Sequence, residues 1–358
     1  MARTAPPPPL AIGVDIGGTK VAAGVVDEDG RILDRWQEPT PSHSPQAAED
    51  AIVRAVQQLR QRHQVEAVGI GAAGWVDNDQ AVVRFSPHLA WRSEPLKARL
   101  IGRIELPLIV DNDANAAAWA EYRYGAGRGS SVMVCITLGT GIGGGLVIGG
   151  RLFRGSYGMA GEWGHMISVP HGHWCECGNR GCWEQYASGN ALARDARALA
   201  RTNSPTAQRI LEIVGGDPDK ITGEDVTAAA IHGEPTSVEL LADVGTWLGR
   251  GIADIAAALD PEVVVIGGGV SAAGDLLLSP AQRAFSHTLT GRGFREEARL
   301  VLAHFRNDAG LIGAADLARH AMIEPPESAQ FGFWPRRRKR RTRKPRQRRD
   351  PLRTRTQS

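Results

Sequence analysis

The feature that most restricts what this chain can fold into is a unit of buried strand, glycine-rich turn and second strand, which occurs twice. Residues 10–33 read LAIGVDIGGTKVAAGVVDEDGRIL, and residues 131–153 read SVMVCITLGTGIGGGLVIGGRLF. In each, a run of β-branched and small residues stops at clustered glycines and then resumes. After the first unit, residues 47–62 carry helical spacing, with Ala51, Val53, Val56 and Leu59 among the apolar positions. VEAVGIGAAG (65–74) adds a strand ending in small residues. LPLIVDNDANAAAWAEYRYG (106–125) adds a strand that stops at Asp111 and a helix that begins after Asp113. After the second unit come a Cys/His segment, a helix-rich stretch and DPEVVVIGGGV (260–270), a last buried strand ending in three glycines. The order strand, strand, strand, helix, strand, helix is thus expected twice. It predicts an α/β chain of two similar domains facing each other across a cleft, residues 10–125 and 126–322.

Three glycine turns at strand ends suit a phosphate-bearing ligand. In the first, Asp15, Gly17, Gly18, Thr19 and Lys20, the glycines let backbone N–H groups approach phosphate oxygens and the Thr hydroxyl adds a donor. Asp15, at the strand end, has the chemistry to hold Mg²⁺ through water. The second is Gly139, Thr140 and Gly141, and the third is Gly267 and Gly268. Any one of them alone also reads as a tight hairpin or a packing point. The run from Gly139 to Gly144 satisfies G-x-G-x-x-G, but a dinucleotide fingerprint opens a helix, and here Leu146 to Ile148 continues as a strand. Neither G-x-x-x-x-G-K-[ST] nor the protein-kinase motifs occur.

Asp113 follows an apolar strand and precedes Ala-Asn-Ala-Ala-Ala. It reads as a helix N-cap or as a cleft-facing carboxylate able to accept a proton, and the segment alone leaves both open. Residues 162–184 hold Glu162, His165, Cys175, Cys177, Cys182 and Glu184. Three of the chain's four cysteines fall within eight residues, which favours a metal, and with one imidazole they match a Cys₃His zinc site. On spacing alone His171 and His173 compete with His165 for the nitrogen position. No basic recognition helix follows, so a nucleic-acid-reading finger is not expected. Cys135, in an apolar strand, reads as a core residue.

The net charge of +3 conceals a division. Residues 335–358 hold 13 Lys or Arg and one Asp, a net +12, which leaves −9 on residues 1–334. The tail has too little apolar surface to fold alone and is expected to be disordered from about residue 323, as is the proline-rich start (1–9). Such a tail binds polyanions non-specifically, but it has no aromatic residue for base stacking. Neither a signal-peptide stretch nor a transmembrane run is seen, so a cytoplasmic protein is expected.

Together, Asp15 to Lys20, Asp111 to Asn115, the glycines from 139 to 145 and the segments GEWGH (161–165) and CECGNRGCWE (175–184) resemble the ROK family of sugar kinases and sugar-responsive repressors. The similarity covers roughly residues 10–321. Within the family it is nearest to the zinc-containing bacterial glucokinases. The resemblance implies an actin-like ATPase (ribonuclease H-like) fold with its active site in the interdomain cleft. It implies ATP, Mg²⁺ and structural Zn²⁺, with a hexose, most simply glucose, as substrate. Asp113 would be the base that accepts the sugar 6-hydroxyl proton. Asn112, Glu162, His165 and Glu184 would hold sugar hydroxyls, with Gly74 closing the site. Zinc would be held by His165, Cys175, Cys177 and Cys182, leaving the second His165 nitrogen for the sugar. Asp15 would orient Mg²⁺, and the glycine turns, with Thr19, Lys20 and Thr140, would surround the nucleotide phosphates. A homodimer or homotetramer is what the family suggests. Repressor members carry an extra N-terminal DNA-binding domain, and the first strand here begins at about residue 10, so a kinase is expected. The competing expectations are a kinase for N-acetylmannosamine, fructose or allose, a donor other than ATP (ADP or polyphosphate), a non-catalytic sugar sensor, and a polyanion-binding protein.

Overall fold

The repeat takes the form of two five-stranded sheets with the same strand order. The computed structural model describes residues 9–202 and 204–323, and the proline-rich start and basic tail lie outside these. In chain order the first half gives β1 (Ala11–Ile16), β2 (Lys20–Val26), β3 (Ile32–Pro39), α1 (Pro45–Arg60) and β4 (Ala67–Ala72). Three short strands follow, β5 (Trp75–Val76), β6 (Val83–Phe85) and β7 (Arg92–Glu94), then α2 (Leu96–Ile104), β8 (Leu108–Asn112) and α3 (Asp113–Arg123). The second half gives β9 (Val132–Leu138), β10 (Ile142–Ile148), β11 (Arg151–Leu152), α4 (Glu184–Ala187) and α5 (Gly189–Arg201). It continues with α6 (Gln208–Ile213), α7 (Gly223–Ile231), α8 (Pro235–Leu259), β12 (Val263–Gly267), α9 (Asp275–Thr288), β13 (Arg299–Leu302) and α10 (Ala309–Ile323).

The first sheet has the order β3-β2-β1-β4-β8 and the second β11-β10-β9-β12-β13. In each, the three leading strands are antiparallel and the remaining two join in parallel. The short strands β5, β6 and β7 form a separate antiparallel sheet.

Period-two burial explains the layers. On β1, Ile12, Val14 and Ile16 face a core shared with Ile52, Val56 and Leu59 of α1. Ala11 belongs to a second core with Ala116 and Trp119 of α3, Met133 and Cys135 of β9, and Leu311 and Ile312 of α10. This places α3 and α10 between the two sheets and makes Cys135 the core residue its strand predicts. A third core packs β9, β10 and β12 on α5, α7, α8 and α9 through residues such as Ile136, Leu248, Ile252 and Phe285. Each fully buried Ile, Leu or Phe contributes about 1.5–3 kcal/mol.

α10 comes from the end of the described chain but lies on β1 and β4. Glycines permit this approach: a Cβ on Gly13 would stand 1.9 Å from the Leu311 carbonyl oxygen, and one on Gly69 1.8 Å from that of Ala314. α1 starts two residues before its expected position because Ser44 caps it, accepting the Ala47 N–H at 3.2 Å, with Pro45 in the first turn. Among the described residues no helix is long and apolar enough to cross a membrane.

Candidate active site

The site begins where β8 ends. The helix cap is Asn112 and not Asp113, which corrects the capping role weighed for that aspartate. Asn112 has extended backbone, and its Oδ1 accepts the Asn115 N–H at 2.9 Å. Its Nδ2 donates to the Gly74 carbonyl and to Asp113 Oδ1, each at 3.0 Å. Asp113 is the first residue of α3, and its Oδ1 also accepts the Ala114 N–H at 3.0 Å. These bonds converge on one oxygen, so Oδ2 stands outside them.

Asp111, two residues earlier, is saturated. Its Oδ2 accepts from Arg154 Nε at 2.8 Å, Arg154 Nη2 at 2.6 Å and Gln80 Nε2 at 2.9 Å. Its Oδ1 accepts from the Asn112 N–H at 2.8 Å and Asn115 Nδ2 at 3.1 Å. It is buried and locks the strand end to the segment after β11. That leaves Asp113 as the carboxylate of the pair suited to chemistry.

Three carboxylates of this region are held above their ordinary range. Burial pushes Asp113 up to about 6, against the pull of the Ala114 N–H, Asn112 and the charge of His88. Burial and then the charge of Asp113 push Asp15 up to about 7, with Lys20 opposing. Glu162 is raised by burial, opposed by the charge of His165 and a hydrogen bond from Trp75, while Asp113 and Glu184 add to the rise. Groups perturbed by burial and by each other are what a working site collects. No hydrogen bond from a described residue reaches the Asp15 carboxylate, which suits a position for a hydrated cation.

The Cys/His segment folds into one cluster. The ligand atoms of His165, Cys175, Cys177 and Cys182 all lie within 4.8 Å of one another. Cys175 Sγ is 3.6 Å from His165 Nδ1, and Cys177 Sγ is 3.6 Å from Cys182 Sγ. Tetrahedral zinc with Zn–S of about 2.3 Å sets ligand atoms about 3.5–3.8 Å apart, so the donor set and its spacing fit the metal. The competing histidines lie elsewhere: His171 and His173 are exposed, and the His173 ring packs on Tyr186 at 5.4 Å. Because Nδ1 faces the thiols, Nε2 of His165 points to Glu162, 3.9 Å from its Oε2. Glu184 ties this cluster to the second glycine turn. Its Oε1 lies 2.9 Å from Cys175 Sγ, and its Oε2 accepts the Ile142 N–H at 3.4 Å. A Cβ on Gly141 would stand 2.5 Å from that Oε2.

The glycine turns are closed in different ways. In the first, the Gly17 N–H donates to the Lys20 carbonyl at 3.1 Å, and Thr40 braces it through its hydroxyl on the Gly17 carbonyl at 2.8 Å. Thr19 and Lys20 are exposed. In the second, the Gly139 N–H donates to the Gly141 carbonyl at 3.0 Å, and the Gly139 and Thr140 carbonyls accept the Gly189 and Asn190 N–H groups at the start of α5. Gly267 ends β12. Gly268 has φ +84°, and a Cβ there would stand 2.4 Å from the Leu138 carbonyl oxygen, so it rests on the strand leading into the second turn. The second and third turns are therefore neighbours. Asp15, Asp113, Glu162 and Glu184 link the first turn to them through mutual electrostatic influence.

Sequence reading misses Asp111 as a locked carboxylate, along with Gln80, Arg154, Trp75 and His88. None of them sits in a motif. Only the polar residue at the end of a buried strand hinted at Asp111.

Comparison with known proteins identifies the family. The glucokinase of Streptomyces coelicolor is 49% identical over 310 residues, which cover 87% of this chain and 98% of that protein. An N-acetylmannosamine kinase of Escherichia coli is 38% identical over 312 residues, covering 86% and 98%. A solved ROK family glucokinase from Streptomyces griseus, in complex with glucose and AMPPNP, superimposes with a TM-score of 0.82 at 50% identity, covering 87% of this chain and 99% of that one. The ROK family profile matches residues 11–321. On a match of that extent, with relatives near half identical along almost their whole length, the chain belongs to the ROK family.

Proposed function

We propose that this protein is an ATP-dependent hexose kinase of the actin-like (ribonuclease H-like) ATPase fold that phosphorylates D-glucose at its 6-hydroxyl. The observation that carries the reading is the Asp113 carboxylate. It is pinned through Oδ1, open at Oδ2, and set between the first glycine turn and the Glu162, His165, Glu184 group. The relatives named glucokinase support ATP and glucose as the pair.

Asn112, Glu162, His165 Nε2 and Glu184 hold the sugar hydroxyls, and the strand-end segment at Gly74 borders them through its bond to Asn112. The backbone N–H groups of Gly18 and Thr19, and of Thr140 and Gly141, approach the nucleotide phosphates from two sides, with Gly17, Gly139, Lys20 and the Gly267–Gly268 step at the edges. Phosphoryl transfer needs positioning, charge neutralisation and a proton acceptor. Asp113 Oδ2 accepts the hydroxyl proton as the sugar oxygen attacks the γ-phosphorus and the β–γ bridging oxygen leaves with ADP. Mg²⁺ neutralises phosphate charge when bound, and Asp15 would hold it through water. Zn²⁺ would be held by His165, Cys175, Cys177 and Cys182, where it braces the imidazole that faces the sugar. Closing the cleft on the sugar excludes water that would otherwise take the phosphoryl group.

The test is turnover of purified protein with Mg-ATP on glucose, N-acetylmannosamine, fructose and allose. Turnover highest on glucose is expected. Preference for N-acetylmannosamine, the substrate named for a relative, would move the specificity and leave the mechanism. Sugar binding without turnover on any member would replace the kinase with a sensor.

A further inference from the structure

Beside Asp113 and the first glycine turn stands an imidazole that no motif marks. His88 lies in the loop between β6 and β7, and that loop is built to hold its shape. The Ser86 N–H donates to the Trp91 carbonyl at 3.3 Å, Ser86 Oγ accepts the Leu89 N–H at 3.2 Å, and the Ala90 N–H donates to the Ser42 carbonyl at 3.0 Å. Arg92 Nη1 donates to the carbonyls of Ser86, Leu89 and Trp91 at 2.7, 3.1 and 2.6 Å, and its guanidinium lies over the Phe85 ring. Leu89 and Trp91 are buried anchors, while His88, just before them, is exposed.

The same loop touches both sides of the reaction. A Cβ on Gly74 would stand 2.2 Å from the Phe85 carbonyl oxygen, and the Gly74 carbonyl holds Asn112, next to the base. A Cβ on Gly18 would stand 2.7 Å from His88 Cβ, so the histidine rests directly on the turn assigned to the nucleotide. A braced loop that exposes one imidazole donor where the acceptor's base meets the donor's phosphate turn has a specific use.

On the kinase reading above, we propose that His88 is a further catalytic residue whose imidazole contacts the phosphoryl group as it passes from the nucleotide at Gly17–Thr19 to the sugar oxygen at Asp113. The imidazole N–H donates to an equatorial phosphoryl oxygen and moves no proton. The bond that forms is sugar oxygen to phosphorus, the bond that breaks is phosphorus to the ADP oxygen, and the hydroxyl proton goes to Asp113 as before. A donor placed where charge is carried in the transition state lowers the barrier to the chemical step without adding sugar affinity. The charge of His88 also favours the ionised, proton-accepting form of Asp113.

The experiment is steady-state kinetics of the full chain with Mg-ATP and glucose for the wild type, His88→Ala, His88→Asn and His88→Gln, with thermal midpoints for all four. His88→Ala is expected to lower kcat about 10- to 100-fold, with the glucose KM and the midpoint nearly unchanged. An amide at this position keeps a donor, so His88→Asn or His88→Gln should recover part of the loss. A kcat for His88→Ala within about twofold of wild type overturns the proposal. So does a loss that appears as a rise in glucose KM, or one that neither amide relieves, because each would make His88 a packing residue of the loop. These outcomes all presuppose a working wild type. A wild-type protein that phosphorylates no hexose sinks the kinase reading itself and takes this proposal with it.

Discussion

The two strand–turn–strand units share a backbone plan and differ in what surrounds the turn. In each, the first glycine faces open space: a Cβ on Gly17 would meet only the Lys20 carbonyl oxygen, at 4.0 Å, and one on Gly139 would meet nothing within 4 Å. In each, a following glycine is crowded by a polar side chain, Gly18 by His88 and Gly141 by the Glu184 carboxylate. The difference lies in the strand before the turn. Where β1 places Asp15 two residues ahead of Gly17, β9 places Thr137 two residues ahead of Gly139. The first turn is thus preceded by a half-buried acid, under the electrostatic influence of a second one at Asp113. The second is preceded by a neutral hydroxyl residue, and its carbonyls are held by the N–H groups starting α5. On the proposed function, one backbone motif would supply two phosphate cradles, and a single side-chain position would decide which of them also attracts a cation.

The largest effect expected from breaking this arrangement is at the base. Asp113→Asn keeps the Oδ1 acceptor that Asn112 and Ala114 bind but removes the proton acceptor, so kcat should fall about 10²–10⁴-fold. Glucose affinity, measured by calorimetry, should hold within a few-fold. Turnover near wild type would move the base elsewhere, and Asp15 would be the next candidate. Second in size is the metal cluster, which has no counterpart among the described residues of the first half. Cys177→Ser should raise the glucose KM about 10- to 100-fold and lower the thermal midpoint, because His165 loses its brace. An unchanged KM in protein verified to be zinc-free would separate the metal from sugar binding.

The third effect tests the symmetry of the turns. Gly17→Ala and Gly139→Ala add a methyl group to open space in the free protein, so neither should shift the thermal midpoint by more than about 1–2 °C, on the order of 1 kcal/mol or less. Each should still raise the KM for ATP, because the methyl occupies the face a phosphate approaches. Gly268→Ala is the contrast. With φ +84° and the Leu138 backbone 2.4 Å from the new Cβ, it should lose about 1–3 kcal/mol of stability with no nucleotide present. A rise in ATP KM for only one of the two open glycines would show that the cradles are not equivalent.

What the sequence makes readable is what rests on local rules. Glycines clustered after a β-branched run mark Gly17 and Gly139, and thiol spacing marks Cys175, Cys177 and Cys182, because turn geometry and metal coordination are short-range demands. The family motifs point to Asp113, but its local role is not readable, because DNDAN offers four side chains of the capping type. Only the register of β8 shows that Asn112 caps and Asp111 is locked by Arg154. α10 lying on β1 is equally hidden. It depends on Gly13 and Gly69 meeting a helix more than 240 residues away in sequence, and in the strands they look like ordinary small residues. His88 sits in a loop with no periodicity, so only its contact with Gly18 gives it meaning.

The smallest effect, and the one that isolates the acid difference between the turns, is the pH dependence of stability without ligands. Asp15 and Asp113 have ordinary values of 3.8 and are raised to about 7 and about 6 by the fold. Between about pH 4 and pH 7 the folded protein therefore holds protons that the unfolded chain has released. Stability contributed by these groups is fully present below their unfolded values and is lost as pH rises through the folded ones. The thermal midpoint of the ligand-free protein should accordingly contain a downward component between about pH 4 and pH 7, worth a few degrees. Asp15→Asn, which cannot ionise, should flatten that component and stand above wild type at pH 8 while matching it below about pH 4. Mg-nucleotide should remove the same component in the wild type by neutralising the charge that burial leaves exposed to Asp113. Thr137 has no charge to lose, so Thr137→Val should leave the pH slope as it is, whatever it does to the midpoint. If Asp15→Asn and wild type run parallel from pH 5 to pH 8, Asp15 is ionised in the free protein, and the distinction between an acid turn and a neutral one does not hold.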